Sequence, residues 1–340
     1  MVDVLIVVIV CFIAKWVTGI IRTYVLTKNL LDIPNERSSH AVPTPRGGGL
    51  SFVLVFLVTV ELFFLSGKLE FYQFMILFTG GILIAGIGYI DDQGHVSAKL
   101  RLLVHFLVAI ITLYFAGDLG STVKIGEYLL PSWLLNILLV LCLVWSLNLF
   151  NFMDGIDGIA GVEAISVFGG TATIIYINNG NISESWLLFV LTGACLGFLF
   201  WNWPPAKIFM GDVGSGFLGY LIGVFTLLTV KSGLLSIWVW LILFGVFWID
   251  ATITLIRRFI SGERVCEAHY FHAYQHAARK FKSHKKVTLA VLNINLFWLF
   301  PSALATTFFP EFSFVITALA LTPIIVLAIK MGAGVTYLNS

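Results

Sequence analysis

Charge is scarce in this chain. Asp, Glu, Lys and Arg make up only 11% of its 340 residues, where a soluble domain carries roughly 25%. Cysteine is equally sparse, with four in all. Cys11, Cys142 and Cys195 sit inside apolar runs and Cys266 in a basic loop, with no CxxC pair. That spacing indicates neither a disulfide framework nor a zinc site, and the first three read as small buried hydrophobes. No positive n-region of a cleaved signal peptide precedes the first apolar run (Met1-Val2-Asp3), so that run is expected to be a retained helix. No internal repeat of the kind that marks many transporters is visible.

Hydrophobic residues fill the space that charge leaves. They make up 59% of the chain, and the mean hydropathy is +0.97. Apolar runs recur near 2–26, 48–66, 71–90, 100–117, 131–149, 160–177, 185–201, 214–230, 234–256, 287–308 and 312–330. Runs of about 20 residues are long enough to cross a bilayer as helices. They do not alternate in polarity, which excludes an outer-membrane barrel. The expected fold is therefore an all-α integral membrane protein, a polytopic bundle of about 10–11 helices forming one domain over 1–340. The segments 160–177 and 214–230 are rich in glycine and are the least typical spans.

The net charge of +2 matters less than its placement. Alternate connections hold Arg22, Lys28, Arg37 and Arg46, then Lys99 and Arg101, then Lys207. The last of the series, the His/Arg loop 257–286, adds Arg257, Arg258, Arg264, Arg279, Lys280, Lys282, Lys285 and Lys286. The opposite connections hold only Lys68, Lys124 and Lys231. Positive charge favours the cytoplasmic side, which puts the N-terminus outside and the C-terminus in the cytoplasm. The connection 118–130 could form a small hairpin, and the loop 257–286 has room for a helix of its own.

On this topology Asp91, Asp92, Asp154, Asp157 and Asp212 all face the cytoplasm at the ends of apolar runs. Carboxylates at a membrane boundary are costly to desolvate, so a cluster of them suggests chemistry, most economically a divalent cation held against phosphate. Asp91-Asp92 are adjacent and repel, so they call for a cation or a proton; a solvated helix end is the plain alternative. Lys99 suits a pyrophosphate contact or a snorkelling boundary lysine. Asn151, Asp154 and Asp157 recur at i, i+3 and i+6, which puts them on one face of a helical start, with glycines that allow close approach to a ligand. Asp212 precedes a glycine-rich span and gains meaning from its company.

The histidines His269, His272 and His276 lie among arginines, without a cysteine or a clear fourth ligand. Phosphate or sugar contacts suit them better than zinc, while the Lys282–Lys286 end would serve equally as a basic surface for lipid headgroups. The segment Pro34–Gly49, with Arg37, His40 and Arg46 before three glycines, specifies a shaped loop that could cradle phosphate, though it is not a Walker sequence.

In this order and spacing, from the Asp32–Gly49 loop to His272, the segments resemble the polyprenyl-phosphate N-acetylhexosamine-1-phosphate transferases, glycosyltransferase family 4. The resemblance covers nearly the whole chain and is closest to the O-antigen-initiating bacterial branch. It implies transfer of a sugar-1-phosphate from a UDP-N-acetylhexosamine to undecaprenyl phosphate, with Mg²⁺ (Mn²⁺ as a substitute) and release of UMP, at the bacterial inner membrane. By the same resemblance Asp91, Asp92, Asp154 and Asp212 are catalytic, and Asp154 and Asp212 hold the metal. Arg46, Lys99, Asn151, Asp157, Asn202 and His272 contact substrate. The partners are the two substrates and the bilayer, with no nucleic acid; a homodimer is left open. Ala273, Tyr274 and Gln275 depart from the histidines of better-known branches, so the histidine roles do not carry over.

Two other readings compete. A Mg²⁺-dependent intramembrane prenyltransferase would leave the His/Arg loop unexplained and needs a different Asp spacing. A transporter or flippase for lipid-linked substrates would use Asp250, with Glu163 and Glu61. The principal acids gather on one face, however, and transporters bind near the midplane.

Overall fold

A computed structural model describes residues 2–28, 31–34, 42–94, 96–117, 124–125, 128–129, 131–180, 185–263 and 270–335. Arg37, His40, Arg264, Cys266 and His269 lie outside the described residues. The protein is all-α and polytopic. Among the described residues eight helices are long and apolar enough to cross a membrane, and a bent pair brings the number to nine. Two shorter apolar helices complete the set of eleven segments that the hydropathy outlines.

In chain order the helices are α1 (Val2–Thr27), α2 (Leu50–Leu65), α3 (Phe71–Gln93) and α4 (Ala98–Ala116). Then come α5 (Ser132–Met153), α6 (Ile159–Asn179), α7 (Trp186–Asn202) and α8 (Asp212–Lys231). The bent pair is α9 (Ile237–Leu243) and α10 (Gly245–Ile260). The chain ends with α11 (Ala273–Phe281), α12 (His284–Phe308) and α13 (Pro310–Lys330). Two-residue strands pair antiparallel at Leu31–Asp32 with Thr44–Pro45, and at Lys124–Ile125 with Tyr128–Leu129. The second pair lies in the connection where a hairpin is expected.

The two glycine-rich spans form the centre of the bundle. In α8, 78% of the apolar window is buried and in α6, 67%, against 17% in α1 and in α4. Small residues let helix backbones meet closely in a membrane, where there is no hydrophobic force to push helices together. α8 packs against α3 and α5. A Cβ on Gly88 of α3 would stand only 2.5 Å from the Asp212 carbonyl oxygen. Glycine at 88 is thus what lets the end of α3, with its two aspartates, lie on the start of α8.

The single span expected over 234–256 is bent by 76° between α9 and α10. The Trp248 indole donates to the Leu241 carbonyl at 2.8 Å, filling an acceptor that the break leaves open. In the loop 257–286, α11 is the helix that the loop has room for.

Candidate active site

The site forms where the ends of α3, α5 and α8 meet the Thr44–Gly49 segment and the start of α4. Its hub is Asp212, the first residue of α8. Gly211 has φ of 77° and no side chain to cap the helix. The cap comes from another helix: Asp92 Oδ1 accepts the Asp212 N–H at 2.8 Å and Oδ2 the Val213 N–H at 3.1 Å. An acceptor here satisfies N–H groups that a helix start leaves open.

Two arginines stitch the acids together. Arg46 contacts Asp92 Oδ1 at 2.8 Å and Asp212 Oδ1 at 2.7 Å. Arg101 contacts Asp91 Oδ2 at 2.6 Å and Asp212 Oδ2 at 3.0 Å. The other Asp91 oxygen accepts the Val96 N–H at 2.8 Å. Asn151 Nδ2 donates to Asp212 Oδ1 and to Ser215 Oγ, both at 2.9 Å. Burial works against the Arg46 charge, yet Asp212 and Asp92 hold its pKa above the ordinary value. Charge-assisted contacts of this kind are strong when partly desolvated.

The neighbouring acids are treated differently. Asp154 follows α5 and its carboxylate has no hydrogen bond or ion pair among the described residues. Burial pushes its pKa up to about 7; Arg46 opposes this, and Asp212, Asp92 and Asp157 add to it. Asp157 Oδ2 accepts the Ala206 N–H at 3.1 Å, and its Oδ1 lies 3.3 Å from His284 Nδ1. Asn202 is nearly fully buried. It accepts the Gly158 N–H at 3.0 Å and donates to the Ile208 carbonyl at 2.9 Å, tying two loops together.

A cavity of about 220 Å³ opens between these groups, with Asp32, Arg46, Asn151, Asp154, Asp157 and Asp212 in its wall. Asn202, Ser215 and Gln275 also line it. The structure thus brings Arg46, Asn151, Asp154, Asp157, Asn202 and Asp212 to one cavity, with Asp91 and Asp92 bound to its wall. Lys99 is exposed at the start of α4, and Arg101, two residues on, makes the ion pairs. His272 is buried behind the cavity, with Nδ1 3.4 Å from Asp250 Oδ1. One turn later Gln275 reaches the cavity while its Oε1 accepts the His272 N–H at 3.3 Å.

Sequence reasoning did not assign Arg101, Ser215, Gln275 or Asp32 to the site. The available signal was position: Arg101 and Gln275 lie close to residues already singled out, Lys99 and His272. Asp250, the best acid for a transport path, is engaged elsewhere. It accepts the Ala273 and Tyr274 N–H groups at 2.9 and 3.0 Å and so caps α11. Glu163, fully buried about one turn into α6, accepts from Asn295 at 2.7 Å.

Among the described residues no group of three His, Cys, Asp or Glu side chains is arranged to hold a metal. Asp154 and Asp212 do share one cavity wall. One or two carboxylates, completed by water and substrate phosphate, suit Mg²⁺ better than a closed protein cage. Among the described residues the Asp154 carboxyl has no hydrogen bond or ion pair, and the pull of Arg46 offsets its burial only in part, so the residues fit such an ion.

Comparison with known proteins identifies the family. Residues 74–230 match the glycosyl transferase family 4 profile. A Bacillus subtilis protein named a probable undecaprenyl-phosphate N-acetylglucosaminyl 1-phosphate transferase is 31% identical over 280 residues, covering 81% of this chain and 77% of that protein. A Pelagibacter ubique phospho-N-acetylmuramoyl-pentapeptide-transferase is 30% identical over 270 residues, covering 69% and 72%. A Mycobacterium tuberculosis (H37Rv) decaprenyl-phosphate N-acetylglucosaminephosphotransferase is 28% identical over 320 residues, covering 82% and 76%. With its acids drawn to one end of a membrane bundle, the chain belongs to glycosyl transferase family 4, the polyprenyl-phosphate N-acetylhexosamine-1-phosphate transferases.

Proposed function

We propose that this protein transfers a sugar-1-phosphate from a UDP-N-acetylhexosamine to undecaprenyl phosphate, and so starts a cell-surface polysaccharide such as O-antigen. The site faces the cytoplasm of a bacterial inner membrane, as the distribution of Lys and Arg favours. The observation that carries the reading is the cavity where Asp154 has no hydrogen bond or ion pair among the described residues beside Asp212, which is held between two arginines.

In the reaction an oxygen of the lipid phosphate attacks the sugar-bearing phosphorus of the donor. The new P–O bond forms as the bond to UMP breaks, and UMP leaves with the electron pair. Little covalent work is left to the protein, so positioning and charge stabilisation dominate. A lipid phosphate is already a competent nucleophile, which favours direct displacement over an aspartyl intermediate. Asp154 and Asp212 would hold Mg²⁺, or Mn²⁺ in its place, and the bound ion would neutralise the donor diphosphate. Arg46 and Arg101 face the same charge from the protein side. Both oxygens of Asp91 and of Asp92 already hold donors, which supports an organising role for the pair rather than proton abstraction. Asp157 and Asn202 shape the donor side, Gln275 offers an amide there, and exposed Lys99 is left to the mouth of the site.

The test is UMP release by purified protein given undecaprenyl phosphate and a panel of UDP-N-acetylhexosamines. Release is expected only with both substrates and a divalent cation. Pyrophosphate as the product would point to the prenyltransferase reading, and flux without turnover to the transporter.

A further inference from the structure

Away from the acid cavity, one stretch of the membrane-facing surface carries cations without counter-charges. It lies on the seam of α1 and α7, which run side by side with Gly193 against Val7 and Gly197 against Cys11. A groove of about 740 Å³ follows the seam, walled by Phe12, Trp16, Ile20, Tyr24 and Trp201 with Lys15 beside them. Phe12, Trp16, Ile20 and Tyr24 are 64%, 69%, 49% and 52% exposed.

At the charged end of this groove two cations converge on one indole. The Arg22 guanidinium lies 5.7 Å from the Trp201 ring centre and the Lys207 ammonium 5.8 Å. Deeper in the seam the Lys15 ammonium lies 4.3 Å from the Phe200 ring centre. The cluster is held in place. The Trp201 indole donates to the Lys15 carbonyl at 2.9 Å, and Arg22 Nε donates to the Lys207 carbonyl at 3.1 Å. Gly19 leaves room for the ring, since a Cβ there would lie 3.1 Å from it.

None of Lys15, Arg22 and Lys207 pairs with a carboxylate among the described residues. The contrast with Arg46, Arg101 and Arg258 is plain, since each of those meets an acid. Aromatic faces attract cations but leave their charge uncompensated. An anion at this spot would find two fixed donors at the membrane boundary. Its apolar tail would find a groove running from Tyr24 past Trp16 to Phe12, deeper in the bilayer.

We propose that the α1–α7 seam is a binding site for one anionic phospholipid. Its phosphate sits by Arg22 and Lys207 beside the Trp201 indole, and an acyl chain lies along the groove toward Phe12. Charge complementarity selects the headgroup, while the exposed aromatic and aliphatic wall selects a chain over water. No residue of this groove lines the acid cavity, so the site stands independently of the transfer reaction.

The test is native mass spectrometry of the full chain in detergent, titrated with phosphatidylglycerol or with phosphatidylcholine of the same chains. The wild type should retain phosphatidylglycerol in preference to phosphatidylcholine. The pair Arg22→Gln with Lys207→Gln should lose roughly tenfold or more in apparent affinity for phosphatidylglycerol, the scale of two interfacial cations. A charge-matched pair away from the seam and from the Lys282–Lys286 end, Lys280→Gln with Lys330→Gln, both exposed, should retain it. Equal loss in both pairs, equal retention by wild type and the Arg22 pair, or no preference over phosphatidylcholine would each overturn the proposal. So would thermal stabilisation by inorganic phosphate as large as that by phosphatidylglycerol, since the tail would then be irrelevant. If the double variant does not fold, the exposed Lys207→Gln alone should lower retention by several-fold, and unchanged retention would count against the site.

Discussion

The acids of the cavity fall into two groups by how their oxygens are held. Asp91, Asp92 and Asp212 have donors on every oxygen, supplied by Arg46, Arg101, Asn151 and backbone N–H groups. Asp154, facing the same space, has none. One group is held by paired donors, while Asp154 has no direct partner among the described residues and Arg46 offsets its burial only in part. A site that binds a cation and a diphosphate, as proposed for this one, needs both. Fixed carboxylates and arginines hold the geometry before substrate arrives, and an uncompensated one gives the cation a reason to bind.

The largest effect should come from Asp212, which both arginines hold and which shares the cavity wall with Asp154. Asp212→Asn keeps the shape but removes the charge that opposes two arginines, so UMP release should fall about 10³-fold or more. Near-normal turnover would dissolve the distinction between the two groups. Asp154→Asn should cost turnover about 10²-fold, yet leave the apparent Tm in detergent unchanged or raised, because it deletes a partly buried carboxyl that has no hydrogen bond or ion pair among the described residues. A fall in Tm would show that Asp154 has a structural partner after all.

Asp92→Ala should show the reverse balance. It strips the cap from α8, leaves the Asp212 and Val213 N–H groups open and half-frees Arg46. The expected loss is about 2–3 kcal/mol of stability, discounted because Arg46 is 35% exposed. Thermal unfolding in detergent measures it, and activity should fall in step with the folded fraction rather than ahead of it.

Much of this architecture is legible in the sequence, and the illegible parts share a cause. Span lengths follow from hydropathy because the bilayer demands about 20 apolar residues per helix. The glycine-rich segments 160–177 and 214–230 read as atypical spans for the same reason that they are central, since few side chains are what lets neighbours approach. The carboxylates stand out because charge is so rare. What sequence does not show is pairing across distant segments. Asp92 caps a helix that begins 120 residues later, and Arg101 rather than Lys99 turns toward Asp91 and Asp212. Both depend on helix rotation and crossing, which no local spacing encodes. The 76° break between α9 and α10 is hidden likewise, because no proline or glycine pair in 237–243 announces it.

The contrast also has a pH signature. The Asp154 carboxyl, at about 7, lies above its ordinary range mainly because of burial. The folded protein therefore binds a proton that the unfolded chain releases at lower pH. Without cation, that contribution to stability is complete below about pH 4 and is lost as pH rises toward 7. Under the proposed metal site a bound cation would displace the same proton, so the Mg²⁺ concentration that gives half-maximal thermal stabilisation should rise about tenfold from pH 8 to pH 6. Asp154→Asn should flatten the Mg²⁺ trend and shrink the stability trend to the part left by Asp92, whose carboxyl burial also pushes up, to about 6. A Mg²⁺ trend that survives the substitution would assign the displaced proton to another group.

The smallest effect is expected at Asp157, which tests where the boundary between the two groups lies. Its oxygens are engaged, as in the clamped group, but by the Ala206 N–H and by His284 rather than by arginine. Its carbonyl also accepts from Thr288 at 2.8 Å, so the residue anchors the start of α6 through its backbone as well. Asp157→Asn keeps an acceptor for Ala206 and keeps the backbone anchor, and removes only a charge beside a histidine. Turnover should therefore fall about three- to tenfold, mostly as a higher KM for the UDP-sugar, with little change in kcat. A loss as deep as that of Asp154→Asn, carried by kcat, would move Asp157 into the cation-binding group. The cavity would then offer three acidic positions to the metal, and the balance between a held half and an open half would shift toward the open one.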